Sequence, residues 1–227
     1  MKTISWNYRG LGNSRAVRAL GDLVKSRKPN MLFLMETLSN TDIRRKLSKK
    51  MGFEHCWSVD SQGRSGGLAL MWDKSIHCEV VEADSNFIDV NILNNNVSIW
   101  RLTGFYGYPE RTRRRDSWEL LRCLAVKSSL PWFVFGDFND MISEKDKKGN
   151  HKHPQAFLNG FKEVLDEIQL IELDLMRGRC TWEKSRGTLG WVRERIDRVF
   201  ASASWWKKFP LCKLVVHHVI YSDHDPI

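Results

Sequence analysis

Short apolar runs alternate along this chain with stretches whose apolar residues recur every third or fourth position. Lys2–Trp6 reads as a strand that starts almost at the first residue. Ser14–Arg27 reads as a helix, because Val17, Leu20, Leu23 and Val24 fall at helical spacing and Pro29 lies just beyond. Met31–Met35 is continuously apolar, which predicts a buried strand, and Thr41–Met51 predicts a shorter, very basic helix. From Glu54 to Phe105 the texture changes. Runs rich in Val, Ile and Trp are broken by Gly, Asn and Asp, so consecutive strands are expected, with GRSGG (63–67) and LNNN (93–96) as turns. Arg113–Val126 predicts a helix with Trp118, Leu121 and Ala125 on one face. Trp132–Phe135, after Pro131, predicts another buried strand. Pro154–Ile168 predicts a helix with Phe157, Phe161, Val164 and Leu165 inward, and the remainder alternates short strands with one helix near Ala203–Lys208. Many strands with helices interspersed singly fit two packed sheets flanked by helices. They fit a doubly wound parallel sheet or a plain sandwich less well.

Composition narrows the picture. A length of 227 residues suits one large domain, and 42% hydrophobic residues can fill a sizeable core. Ten Trp and eleven Phe read as core filling between sheets. The formal charge of +9 favours polyanionic partners, without choosing between nucleic acid and an anionic membrane. Five cysteines, an odd number with no CxxC, argue against a disulfide framework, a disulfide-linked partner or a zinc site, and fit a reducing intracellular compartment. The N-terminus shows no long apolar stretch of a secretory signal, and no run is long enough to span a membrane.

Polar residues at the ends of the apolar strands are the informative feature. Trp6 is followed by Asn7, LFLM by Glu36, GF by Tyr106, WFVFG by Asp137, Phe138 and Asn139, and VIYS by Asp223 and His224. Sheets gather such ends at one rim, where catalytic groups commonly sit. Each alone could cap a turn. Glu36 resists that reading, since Glu beside a buried strand needs a partner or a metal. Asp197, inside RERIDRVF, is either the partner of a neighbouring Arg or the orienter of a His. His217 and His218 are adjacent strand residues facing opposite sides, so one metal could hardly take both. HKH (151–153) reads as a solvated loop. Neither a phosphate-binding glycine loop of the G-x-x-x-x-G-K type nor a G-x-S-x-G elbow occurs.

In order along the chain stand WN (6–7), the strand-terminal Glu36, GFYG (104–107), GDFN (136–139), RID (195–197) and SDH (222–224). Together they resemble the endonuclease/exonuclease/phosphatase superfamily. Finer features are similar to its plant LINE (non-LTR) retrotransposon branch: SWNYRGLGN with AVRAL behind it, LFLMET, GLALMW, TGFYGYPE, PWFVFGDFND and RERIDRVFAS. The chain departs from that branch with Tyr8 where many relatives have Cys, and Leu38 where a basic residue is common. Relatives continue after SDHxPI into a closing strand, so the single domain, 1–227, is expected to lack its last C-terminal strand. The reverse transcriptase domain that normally shares the polypeptide is expected to be absent here.

The resemblance implies an α+β fold, a four-layer α/β-sandwich of two mixed sheets flanked by helices, DNase I-like. It implies a Mg2+-dependent phosphodiesterase, with Mn2+ able to substitute, that nicks DNA to leave a 3′-hydroxyl and a 5′-phosphate. In a LINE element that hydroxyl primes reverse transcription, so a nuclear location is expected. Glu36 would be the main metal ligand, with Asn7 and Asp223 near the metal or phosphate. Asp137 would hold or deprotonate the attacking water, and Asn139 would orient it. His224 would donate to a phosphate oxygen, Asp197 would fix the ring, and Tyr106 would bond the phosphate or leaving oxygen. Thr181 resembles a family position near the DNA backbone and Ser222 another supporting position, so both are expected among the DNA-binding residues. Arg111, Arg113, Arg114, Arg115 and the lysines at 145, 147 and 148 are candidate backbone contacts. Two alternatives are a repair nuclease for apurinic sites or a phosphatase of the same fold, and a truncated, inactive nucleic-acid-binding relic.

Overall fold

The computed structural model describes residues 1–9, 14–62, 65–150, 152–176, 180–219 and 222–227. Thirteen strands and five α-helices follow one another among them: β1 Thr3–Asn7, α1 Ser14–Arg27, β2 Met31–Met35, α2 Thr41–Met51, β3 His55–Gln62, β4 Ser65–Trp72, β5 Cys78–Asp84, β6 Phe87–Asn94, β7 Val97–Tyr106, α3 Arg114–Ala125, β8 Trp132–Asp137, β9 Lys147–Gly149, α4 Gln155–Glu167, β10 Leu170–Glu172, β11 Trp182–Lys184, β12 Val192–Glu194, β13 Asp197–Ser202 and α5 Ala203–Lys208. One sheet runs β1-β2-β4-β3, a second β10-β13-β8-β7-β6-β5, and a small third β11-β12-β9. Both large sheets are mixed: β1 pairs parallel with β2 and β7 with β8, while the other pairings in them are antiparallel.

Strand alternation makes the layers. Met31, Phe33 and Met35 point one way and meet Ile88, Leu102, Phe135 and Val199 of the second sheet. Leu32 and Leu34 point the other way, onto Leu20, Leu23 and Val24 of α1 and Leu47 of α2. Phe105, Val134 and Phe200 turn outward against Leu121 of α3 and Phe161 of α4. The result is helix, sheet, sheet, helix, the four-layer sandwich the sequence pattern implied. All five residues of β2 are buried because both of its faces are covered, which explains its unbroken apolar run.

The LNNN turn is a tight hairpin, with Asn95 and Asn96 both at positive φ, as a two-residue loop between twisted strands requires. In the other expected turn, Gly63 and Arg64 lie outside the described residues, while Ser65, Gly66 and Gly67 belong to β4. Of the HKH segment, His151 lies outside the described residues. His153 is half-buried: both ring nitrogens are buried, and the ring meets Phe157 edge-on at 6.0 Å.

Two glycines let β7 and β8 come together at the end that carries the polar residues. A Cβ on Gly136, at φ 144°, would fall 2.0 Å from the Phe105 carbonyl oxygen, and one on Gly107 would fall 2.3 Å from that of Phe138. Gly136→Ala or Gly107→Ala is therefore expected to destabilise the domain by at least about 2–3 kcal/mol, seen as a lower urea midpoint. A midpoint equal to wild type would contradict this packing.

Candidate active site

The strand ends converge. Asn7 closes β1, Glu36 follows β2, Tyr106 closes β7, Asp137 closes β8, and Asp197 opens the antiparallel β13 opposite Asp137. The C-terminal segment arrives beside them and is fixed by backbone hydrogen bonds on two sides. Glu183 N donates to Asp223 O and Asp225 N to Thr181 O, while Ser5 and Ile227 exchange both of theirs. Trp6 Nε1 adds a hydrogen bond to the His224 carbonyl at 3.0 Å.

Two groups of side chains result. In the first, His224 Nδ1 lies 3.0 Å from Asp197 Oδ2, and His224 Nε2 lies 3.9 Å from Asp137 Oδ2. All three residues are buried. Of the two readings of Asp197, the structure takes the histidine. The neighbouring Arg195 pairs instead with Glu172 at 2.8 Å, and Arg198 with Asp146 at 2.5 Å. Thr181 supports this line from behind. It is only 1% exposed, and its hydroxyl accepts from Asp197 N at 3.0 Å and Ile196 N at 3.3 Å. Its hydroxyl therefore helps to fix the backbone at Asp197. Ser222 is similarly internal in its bonding, donating to Asn7 O at 3.3 Å and accepting from His224 N at 3.1 Å.

The second group surrounds Glu36. Its Oε1 accepts from Tyr106 OH at 2.9 Å and from Asn7 Nδ2 at 2.8 Å, and Asn7 Nδ2 also donates to Asp137 Oδ2 at 2.9 Å. Asp223 accepts from Trp182 Nε1 at 3.0 Å, and Arg9 contacts both Glu36 and Asp223. Asn139 fixes Asp137: its backbone N–H donates to Asp137 Oδ1 at 2.8 Å, and its amide reaches Gly107 O at 3.0 Å. Glu36, Asn139 and Arg9 all have positive φ, a conformation non-glycine residues hold only where surrounding packing imposes it, often at functional sites.

Electrostatics follow from burial and pairing. Burial, with the Asp197 charge behind it, pushes Asp137 up to about 7 despite the opposing pull of His224, Asn7 and Asn139. Burial pulls His224 down, but the Asp197 charge and hydrogen bond outweigh it and lift the imidazole to about 9. Burial also pushes the Tyr106 hydroxyl far up, helped by Glu36 and Asp137, so it stays a donor. Because the folded imidazole titrates near 9 and an unfolded one near 6.5, its stabilisation is complete below 6.5 and is lost as pH rises through 9. With chelator present, wild type is expected to lose roughly 2–3 kcal/mol relative to His224→Gln between about pH 7 and 9. Urea unfolding at both pH values checks this, and a difference that does not change with pH would contradict the pairing.

The expected arginines are engaged differently, and Arg114 feels the charge of Asp137. Arg113 stacks on Tyr108 at 3.5 Å and pairs with Asp116 at 3.0 Å. Arg114 is half-buried with Nη2 on Pro109 O at 3.2 Å, and Arg115 is exposed. Sequence reasoning gave no role to Arg9 or Trp182, although Arg9 lies within SWNYRGLGN and Trp182 directly follows Thr181.

Asp137, Asp197 and His224 place ligand atoms within 4.8 Å of one another. That trio is a poor cation site, because His224 Nδ1 is already spent on Asp197 and the Asp197 charge favours the protonated ring. Glu36 and Asp223 fit a hard divalent cation better. Beside Glu36, Asn7 Oδ1 is buried without a hydrogen-bond partner, an oxygen suited to a metal or its water, and both carboxylates already attract a cationic side chain.

Solved structures share this fold. A 3′-5′ exonuclease from Neisseria meningitidis superposes with TM-score 0.73 at 20% identity, covering 100% of this chain and 97% of its own. The endonuclease domain of TRAS1, a telomere-specific non-LTR retrotransposon, gives 0.72 at 17% identity, over 99% and 95%. An AP endonuclease from Archaeoglobus fulgidus gives 0.70 at 16%, over 100% and 97%. No curated protein matches the chain. The stretch that begins just before Asn7 and ends on His224, residues 4–224, matches the model of the Endonuclease/Exonuclease/phosphatase family, and the chain belongs to that family.

Proposed function

We propose that the chain is a divalent-metal-dependent endonuclease that nicks DNA, descended from a plant-type LINE retrotransposon. The carrying observation is the Asp197–His224–Asp137 line standing beside the Glu36–Asn7–Tyr106 cluster at one strand-end rim. Glu36, Asn7 and Asp223 would hold the metal, magnesium by preference and manganese in its place. Bound there, it supplies positive charge to the phosphate oxygens.

The chain's own groups do the rest by positioning and charge. Asp137, fixed by Asn7 and Asn139, accepts the proton of an attacking water. His224, held by Asp197 through Nδ1, presents Nε2 toward Asp137 and so toward the phosphate. Tyr106 keeps its proton and donates to a phosphate or leaving oxygen. The net charge of +9 favours a nucleic-acid substrate, with Arg113, Arg114 and Arg115 as candidate backbone contacts. The likeness to the TRAS1 endonuclease domain, together with the SWNYRGLGN and RERIDRVFAS motifs, supports retrotransposon descent.

End chemistry tests this reading. Nicks made in an intact duplex should be extended by a DNA polymerase without further processing, as a 3′-hydroxyl requires. Nicks that need 3′-phosphate removal first, or cleavage confined to apurinic duplexes, would contradict it.

A further inference from the structure

Glu36 and Asp223 come from opposite ends of the chain, and one guanidinium joins them. Arg9 Nε lies 3.4 Å from Glu36 Oε2, and Arg9 Nη1 contacts Asp223 Oδ2. The other Glu36 oxygen is taken by Tyr106 and Asn7. Arg9 therefore faces the one edge of Glu36 that those neighbours leave open. Two carboxylates bridged by a single guanidinium lie close enough to repel each other without it. Among the described residues, Arg9 is the cation in contact with both.

The bridge is built to yield. The Arg9 side chain is 55% exposed, against 18% for Glu36 and 21% for Asp223, so withdrawing it into water costs little desolvation. A divalent ion carries twice the charge and binds carboxylate oxygens directly. Guanidinium and ion cannot hold the same open oxygens together.

We propose that Arg9 is a tethered cation that keeps Glu36 and Asp223 together in the metal-free protein and is displaced by the divalent ion. This rests on Glu36 and Asp223 being cation ligands, as proposed above. Once displaced, the guanidinium remains at the rim where the phosphate arrives. Arg9 is thus a positioning residue whose effect is read first in metal binding.

The test is Mn2+ binding by calorimetry, with melting in EDTA and in Mg2+, for wild type, Arg9→Gln, Arg9→Lys and Glu36→Gln. Arg9→Gln is expected to melt below wild type in EDTA, to bind Mn2+ about three- to tenfold more tightly, and to gain more in Tm from Mg2+. Lysine keeps the tethered charge while losing the planar fork, so Arg9→Lys should stay nearer to wild type than Arg9→Gln. An Arg9→Gln affinity equal to wild type overturns the proposal. So does Arg9→Lys gaining as much Mn2+ affinity as Arg9→Gln, since the tethered charge would then not be what competes with the ion. Glu36→Gln separates the two levels. If it binds Mn2+ like wild type, the cation-site reading itself fails; if it loses Mn2+ while Arg9→Gln is unchanged, only the role of Arg9 fails.

Discussion

Replacing His224 with alanine is expected to slow DNA nicking by about 10²–10⁴-fold, the range for a positioned acid–base group. The expectation comes from its geometry: Nδ1 is fixed 3.0 Å from Asp197, and Nε2 is aimed toward Asp137. Removing the ring also leaves the buried Asp197 carboxylate unpaired, which costs about 3–5 kcal/mol, so melting must be followed alongside rate. Asp197→Asn separates the two effects. It keeps the imidazole in place and removes the charge that holds it protonated, so a loss of about a hundredfold or more is expected with the fold intact. A near-wild-type rate for Asp197→Asn would show that the charged imidazole has no part in catalysis.

Glu36→Gln is expected to cost about 10²–10³-fold in rate, comparable to losing one group that stabilises transition-state charge. An amide is a weaker ligand for a hard cation than a carboxylate, so the Mg2+ needed for half-maximal nicking should also rise. The same change sets an amide N–H against the donors from Tyr106 and Asn7 that now meet at Glu36 Oε1, which disturbs the positions of both. Raising Mg2+ should recover part of the rate. A variant with wild-type rate and wild-type Mg2+ dependence would place the cation elsewhere, with the Asp137, Asp197 and His224 trio the next site to test.

What could be read from the sequence was set by locality. Helical spacing marked α1, and LNNN (93–96) marked a turn, because each pattern is decided by neighbours in the chain. Polar residues after apolar strands marked Asn7, Glu36, Tyr106 and Asp137, since a buried run that ends in an acid or amide is conspicuous without any tertiary knowledge. The choice of partner for Asp197 was not local. Arg195 and Arg198 are near in sequence, yet His224, 27 residues away, takes the carboxylate because β13 opens beside the C-terminal segment. Arg9 was unreadable for the same reason: a basic residue after a strand looks like surface until Asp223, 214 positions on, is brought beside it. The partial burial of His153 beside Phe157 depends on how α4 packs, which the charged residues around it do not reveal.

Nicking of supercoiled plasmid by the purified chain, with Mg2+ titrated against EDTA, tests the central claim most directly. Conversion to open circle that rises with Mg2+, ceases on chelation and returns when Mg2+ is restored is the expected result. Nicking that persists undiminished in EDTA, or its absence at every Mg2+ and Mn2+ concentration from a protein that melts cooperatively, would contradict it.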